Sequence, residues 1–159
     1  MEKLTLENIA PFLPYGLKIK VGKGVREMVC DITQQSQIQT CVLISNVIES
    51  QYKPLLIKMD LTKPIIVDGK EVIPIVELAI IAFPELQWKS NGIGNATTGY
   101  GHTFYYLTNK MCFGCTHSAF TPYQIQCFQW LFEHKFDFFN FIEKNLAIDV
   151  TTLETNVYE

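Results

Sequence analysis

The sequence predicts a single α+β domain over residues 1–159, with a mostly antiparallel sheet and a C-terminal helical pair packed on it. Three observations carry that reading. At 159 residues, 48% hydrophobic and 18% charged, the chain has the length and composition of one globular domain. Its first two thirds break into short apolar stretches separated by Gly, Pro, Asn and Asp, the pattern of strands and turns. Its last third changes to apolar residues spaced three and four apart, the helical period.

Thr5 ahead of Leu6-Glu7-Asn8-Ile9-Ala10 reads as an N-cap and a short helical turn, which Pro11 and Pro14 curtail. Leu17, Ile19 and Val21 alternate with Lys18 and Lys20, so a half-buried strand with one wet face follows. Gly22-Lys23-Gly24 supplies a turn, and Val25 to Ile32 returns antiparallel. The Gln-rich stretch Thr33 to Gln39 reads as a loop, Cys41-Val42-Leu43-Ile44 as a short central strand, and Pro54 to Met59 as another strand.

Asp68-Gly69 between Ile65-Ile66-Val67 and Lys70-Glu71-Val72-Ile73 is a hairpin signal, because a type I′ turn needs positive φ at both central residues. Pro74 suits the first turn of a helix, where its missing N–H costs nothing, and that helix runs to Phe83 before Pro84. Ser90 to Gly101 reads as an irregular loop and His102 to Leu107 as an aromatic strand. Thr121-Pro122-Tyr123-Gln124 has the form of a capping box, opening a helix to about His134 whose core face is Ile125, Phe128, Leu131 and Phe132. Asp137 caps a second short helix, Phe138 to Lys144, which Asn145 ends in the left-handed conformation. The last ten residues read as a frayed polar tail.

Thirteen Lys plus Arg against sixteen Asp plus Glu leave a net charge of −3, which with this hydrophobic content excludes a wholly disordered chain. Residues 1–60 hold the only basic cluster, Lys18, Lys20, Lys23 and Arg26. Arg26 is the sole arginine, whereas phosphate and guanine recognition favour the bidentate arginine fork, so nucleic-acid binding is a minor alternative to a solvated strand face. The longest apolar stretch, Ile73 to Phe83, carries Pro74 and Glu77 and falls short of the roughly twenty residues that span a bilayer. With no basic stretch and apolar core at the start, the expected location is the cytoplasm. Five cysteines, an odd number in that setting, argue against a disulfide framework.

Candidate sites are few. Cys112-Phe113-Gly114-Cys115 could hold half of a tetrahedral zinc site with His117 or Cys127 as a third ligand, but no second pair of comparable spacing exists. A small metal-binding module on Cys112 and Cys115 is therefore an alternative function, and no cofactor is expected. Gly92, Gly94, Gly99 and Gly101 do not follow the order of a phosphate-cradling loop, although a long loop can carry binding. His102, His117 and His134 lack metalloenzyme spacing, and no catalytic set converges; a non-enzymatic role is the expectation.

The aromatic content, eleven Phe, seven Tyr and two Trp, is high, and eight of these side chains fall between Thr121 and Asn145. A thick core accounts for most of them. Because aromatics also concentrate at the centres of protein interfaces, Trp130 and Phe139 are the candidates for a partner or self-association surface.

Both ends of the chain carry a resemblance. Leu4-Thr5-Leu6-Glu7-Asn8-Ile9-Ala10-Pro11-Phe12-Leu13-Pro14-Tyr15-Gly16-Leu17-Lys18 resembles the opening of a family of small uncharacterised proteins encoded in phages and prophages of Bacteroides-type gut bacteria. Trp130-Leu131-Phe132-Glu133-His134-Lys135-Phe136-Asp137, with Leu146-Ala147-Ile148-Asp149, resembles the ending of the same family. The resemblance covers a fifth to a quarter of the chain and brings no catalytic residue. It implies a mobile-element accessory protein acting on host or phage components. The aromatic cluster and the lack of a convergent catalytic set make binding to a protein partner or as a homo-oligomer the expected mode, and the lack of a membrane-spanning stretch argues against a membrane partner.

Overall fold

A computed structural model describes residues 3–22, 28–107, 110–116, 118 and 121–153. Helices and antiparallel strands are mixed through the chain, as an α+β reading requires. The chain divides into two compact units, one of residues Met1–Met59 and Leu131–Glu159 and one of Asp60–Trp130. Among the described residues no helix is long and apolar enough to cross a membrane.

The first unit opens with α1 (Leu6–Ile9), where the Thr5 N–H donates to Asn8 Oδ1 at 2.9 Å. A 3-10 segment, Ala10–Tyr15, takes over, since Pro11 and Pro14 lack the donors an α-helix needs. Strands β1 (Lys18–Val21) and β2 (Met28–Asp31) pair antiparallel, with Ile19 opposite Cys30 and Val21 opposite Met28. The turn expected at Lys23 and Gly24 lies outside the described residues.

Residues 33–44 overturn two expectations. The predicted loop and central strand are instead a 3-10 turn at Ile32–Gln34 and a twelve-residue helix, α2 (Gln37–Ile48). Ser36 and Gln39 form its capping box: the Gln39 N–H donates to Ser36 Oγ, and Gln39 Oε1 accepts from the Ser36 N–H. A four-residue apolar run is ambiguous between strand and helix, and here the cap decides.

Strand β3 (Lys53–Leu56) pairs antiparallel with β1 and parallel with the short β10 (Ile148–Asp149), giving the order β10-β3-β1-β2. Leu4, Ile9, Phe12, Leu17, Ile19, Ile32, Val47, Leu56, Phe141 and Ala147 make the core of this unit, with Phe132 and Phe139 half-buried against it.

The second unit begins with the hairpin of β4 (Ile65–Val67) and β5 (Lys70–Val72), with Asp68 at φ 50° and Gly69 at φ 73°, the type I′ geometry the sequence predicts. Helix α3 (Pro74–Ala82) carries Pro at its first position. It packs on a four-stranded antiparallel sheet in the order β6 (Trp88–Ser90), β7 (Asn95–Thr98), β8 (Thr103–Leu107), β9 (Cys112–Cys115). The segment 90–101, expected to be an irregular loop, is thus a strand between two tight turns. Gly92 and Gly94 take positive φ in one turn and Gly101 in the other, while Ala96 and Thr98 alternate inward.

Helix α4 (Gln124–Glu133) starts later than the capping box predicted. Tyr123 takes φ 56°, and the Gln124 amide is engaged elsewhere: its Nε2 donates to the Phe113 carbonyl (2.6 Å) and its Oε1 accepts from the Phe113 N–H (3.0 Å). A glutamine side chain thereby pairs with backbone on the free side of edge strand β9, covering groups that would otherwise invite another strand. The buried positions of α4 are Cys127 and Leu131, whereas Ile125, expected in the core, is 71% exposed. The second helix expected at 138–144 is a run of turns. Asn140 takes φ 57° and interrupts any helix there, while Asn145 takes φ 58°, as its sequence position predicted.

Candidate binding surface on the second helix

Helix α2 mixes apolar and uncharged polar residues and carries no charged one. Its C-terminal half closes on the core of the first unit through buried Val47 and half-buried Leu43 and Ile44. The Thr40 hydroxyl donates to the Ile32 carbonyl at 3.0 Å, tying the helix to the preceding turn. Beyond its C-cap residue Glu49, Ser50 at φ 62° ends the helix and donates its N–H to the Val47 carbonyl.

The outer stripe behaves differently. Ile38 is 79% exposed and Val42 55%, with exposed Cys41 and Ser45 on the same stripe. On the adjoining edge strand Met28 is 64% exposed. Val21, Met28 and Cys30 share one face of the β1–β2 pair, and together with Gln35, Ile38, Gln39, Val42 and Leu43 they line an open groove of about 290 Å³. No lining residue is charged, and its polar members are glutamines; the Gln35 amide donates to the Asp31 carbonyl. Exposed large apolar side chains that adjoin one another, unlike scattered ones, mark contact surfaces in soluble proteins.

The residues singled out from sequence lie elsewhere. Trp130 is half-buried on α4, and Phe139 is half-buried in an aromatic cluster with Phe132, Phe138 and Phe141 at centroid distances of 5.3–6.3 Å. The aromatic stretch of 121–145 serves two cores rather than one surface. Phe128 contacts Phe113 at 5.5 Å in the second unit, and Phe132 meets Phe12 edge-on at 5.2 Å in the first.

Cys112 and Cys115 occupy the first and last positions of β9. Three residues apart on a strand, their side chains leave opposite faces, so the segment is not the ligand-holding turn that a Cys-x-x-Cys reading assumes. Cys115 is buried beside Phe104 in the register, and Cys112 lies opposite Leu107 on the outer face. Cys127 is buried on α4, its thiol directed at the Leu78 carbonyl, and burial pushes that thiol up to about 12. His117 lies outside the described residues. Among the described residues no group of three or more His, Cys, Asp or Glu is placed to hold a metal ion.

His102 sits at the turn into β8, its N–H donating to Thr98 Oγ1, and His134 follows the end of α4. Lys18 and Lys20 flank buried Ile19 on β1, opposite Asp31 and Val29 respectively, while Lys23 and Arg26 lie outside the described residues. Near Lys18 and Asp31, burial holds the Lys135 ammonium below its usual range, offset in part by Glu133 and Asp31. Among the described residues of this unit, Asp137 is the buried carboxylate. Its two oxygens accept the Phe141 and Ile142 N–H groups at 2.8 and 2.7 Å, and burial nevertheless holds its carboxyl above the ordinary range.

The surface was legible in one respect that the strand reading passed over. No charged residue occurs between Asp31 and Glu49, and Ser36-x-x-Gln39 is a capping box of the kind recognised at Thr121. Placed on a helix, those residues put Ile38, Cys41, Val42 and Ser45 on one stripe. Comparison of the chain with protein-family models, with curated proteins and with solved structures finds no match.

Proposed function

We propose that this chain is a non-enzymatic, cytoplasmic accessory protein that acts by protein binding, in keeping with the mobile-element family its termini resemble. The observation that carries the reading is the uncharged, exposed face of α2 and its groove beside β2. An apolar surface of this kind gains free energy when another protein removes it from water, by roughly 25 cal/mol for each Å² covered. Its glutamines can supply directional hydrogen bonds at the rim without the desolvation cost of a charge. Trp130 and Phe139, both half-buried, are secondary candidates for contact in this reading, and Phe139 also packs against the first core.

The test is a photo-crosslinking amino acid placed at position 42, compared with the same group at position 71 on the exposed β5 strand. Covalent protein adducts from position 42 and none from position 71 are expected in cells. Equal or absent adducts at the two positions would sink the proposal. The mass of the adduct reports whether the bound protein is this chain or another.

A further inference from the structure

We infer that Asn91 is a self-modifying site: the turn between β6 and β7 promotes attack of the Gly92 backbone nitrogen on the Asn91 side-chain amide, converting Asn91 to aspartate and isoaspartate. The inference uses no residue of the α2 surface and stands independently of it.

The only co-reactant the chemistry needs is water. The Gly92 nitrogen gives up its proton and adds to Asn91 Cγ, and the electron pair of the side-chain carbonyl moves onto Oδ1. Collapse of that oxyanion breaks the bond from Cγ to Nδ2, which leaves as ammonia, and a succinimide ring remains. Water then opens the ring at one carbonyl to give aspartate or at the other to give isoaspartate, in which the main chain runs through the former side chain.

The first ground is access. The attacking nitrogen belongs to the following residue, so a side chain there obstructs the addition. Asn91 is the only asparagine in the sequence followed by glycine. Both residues are exposed, Gly92 takes φ 75°, and no atom lies within 4 Å of where a Cβ would stand.

The second ground is the hydrogen bonding of the turn. Asn91 Oδ1 accepts the Ile93 N–H at 3.0 Å and the Asn95 N–H at 3.2 Å. Both donors are backbone, so it is the oxygen of the amide that faces them. The Asn91 N–H donates to the Asn95 carbonyl at 3.1 Å, which fixes the residue at its main chain as well. Negative charge develops on this same oxygen as the Gly92 nitrogen adds to Cγ. Two donors already aimed at it form an oxyanion hole, and such bonds strengthen as their acceptor becomes charged. The Gly92 N–H in turn donates to Ser90 Oγ at 3.2 Å, giving the departing proton a route through a hydroxyl to solvent. An unfolded chain keeps the Asn-Gly pair and loses this arrangement.

Two other asparagines have only part of the set. Asn8 Oδ1 accepts from Thr5, and Asn145 Oδ1 accepts from Lys53 Nζ, but Ile9 and Leu146 follow them. Conversion at position 91 has two consequences. Aspartate adds one negative charge to the chain's −3. Isoaspartate lengthens the main chain by a methylene and withdraws Oδ1 from the turn, which loosens the pairing of Ser90 with Ala96.

The test is timed incubation of the purified chain at mildly alkaline pH, folded and unfolded in urea, with peptide mapping by mass spectrometry and enzymatic methylation to count isoaspartate. Acid should accumulate at position 91 in the folded chain while Asn8 and Asn145 stay amides. Because two preorganised donors stabilise the oxyanion, the folded rate should exceed the unfolded one on the order of 10-fold. Ser90→Ala should slow the folded reaction, and Ser90→Thr, which keeps the hydroxyl, should restore it; circular dichroism confirms that both variants fold. No conversion at position 91 overturns the inference, and so does a folded rate no faster than the rate in urea. Conversion of Asn8 or Asn145 at the same rate overturns the role of the turn and of Gly92. A Ser90→Ala rate equal to wild type overturns the proton route.

Discussion

Helices α2 and α3 both carry a run of apolar side chains, and those side chains meet opposite fates. Helix α3 buries Pro74, Ile75, Leu78, Ala79 and Ala82 against the sheet of its unit, leaving Glu77 and Ile80 outward. Helix α2 buries Val47 alone and leaves Ile38 and Val42 in solvent. Composition separates them in part, since α2 carries uncharged polar residues at Gln37, Gln39, Thr40, Ser45 and Asn46, where α3 carries Glu77 alone. What separates them is packing: α3 lies against β6, β7 and β8 of its sheet, whereas Ile38 and Val42 of α2 stand outward beside the edge strand β2. Adjoining apolar side chains left in solvent mark a contact surface.

Measurements on the two helices can test the contrast. The largest difference is expected in thiol chemistry. Exposed Cys41 on α2 should react with a disulfide reagent at once, whereas Cys127, buried and held up to about 12, should react more slowly by on the order of 1,000-fold or more. Its reaction must wait for opening of the fold, whose population is about 10⁻³ or less. Comparable rates in the Cys41→Ser and Cys127→Ser variants would contradict the burial described here.

Next come truncations of the two helices. Leu78→Ala on α3 should cost about 2–5 kcal/mol of unfolding free energy, the range for a fully buried leucine. Val42→Ala on α2 should stay within about 0.5 kcal/mol. Urea midpoints at constant slope measure both, and a large loss at Val42 would place that side chain in a core.

A smaller effect concerns Asp137, which organises the turns where a helix was expected. Removing one of its two charged acceptors in Asp137→Asn should cost about 1–3 kcal/mol at neutral pH, because one buried N–H loses its partner. The pH dependence has a definite sign. Burial, joined by Asp149 and Glu143, raises the folded-state pKa above the ordinary carboxylate value, so the folded chain binds this proton more tightly than the unfolded one. The cost of the buried charge is full above the raised pKa and is relieved as pH falls through it toward the ordinary value. Asp137→Asn should therefore show no relief in that window, and a parallel pair of stability–pH curves would disprove the assignment.

The smallest effect tests the cap that the strand reading overlooked. Ser36→Ala should destabilise the chain by about 1 kcal/mol, with the loss seen first in hydrogen exchange of the opening turn of α2. No change at Gln39 would argue against the cap.

The local signals that succeeded are those in which one or two residues settle the backbone. Asp68-Gly69 fixed its hairpin turn through positive φ, Pro74 marked a helix start, and Asn145 marked a left-handed stop. The failures share a cause of the opposite kind. Cys41-Val42-Leu43-Ile44 suits a strand or a helix equally, and the decision fell to Ser36 and Gln39, several residues away. The glycines of 90–101 suggested a loop because they flank a four-residue strand too polar outwardly to announce itself; pairing with β6 and β8 made it one. Gln124, which the capping box claimed for Thr121, was taken by the Phe113 backbone, eleven residues away along the chain. The adjacent Gly114 had no sequence signal at all. The ring of Tyr105 lies over it so closely that a Cβ there would stand 2.6 Å from Tyr105 Cε2.

By itself, the sequence determined a mixed α+β chain, its turns and most of its strand and helix starts, because those depend on φ preferences, caps and periods that act within a few residues. Only the tertiary structure decided that the aromatic stretch of 121–145 would divide between two cores, that Cys112 and Cys115 would face opposite ways, and that α2 would keep its apolar stripe in water. Each of those outcomes depends on what packs against an element and on which backbone groups lack a partner, quantities that exist only after distant segments have met.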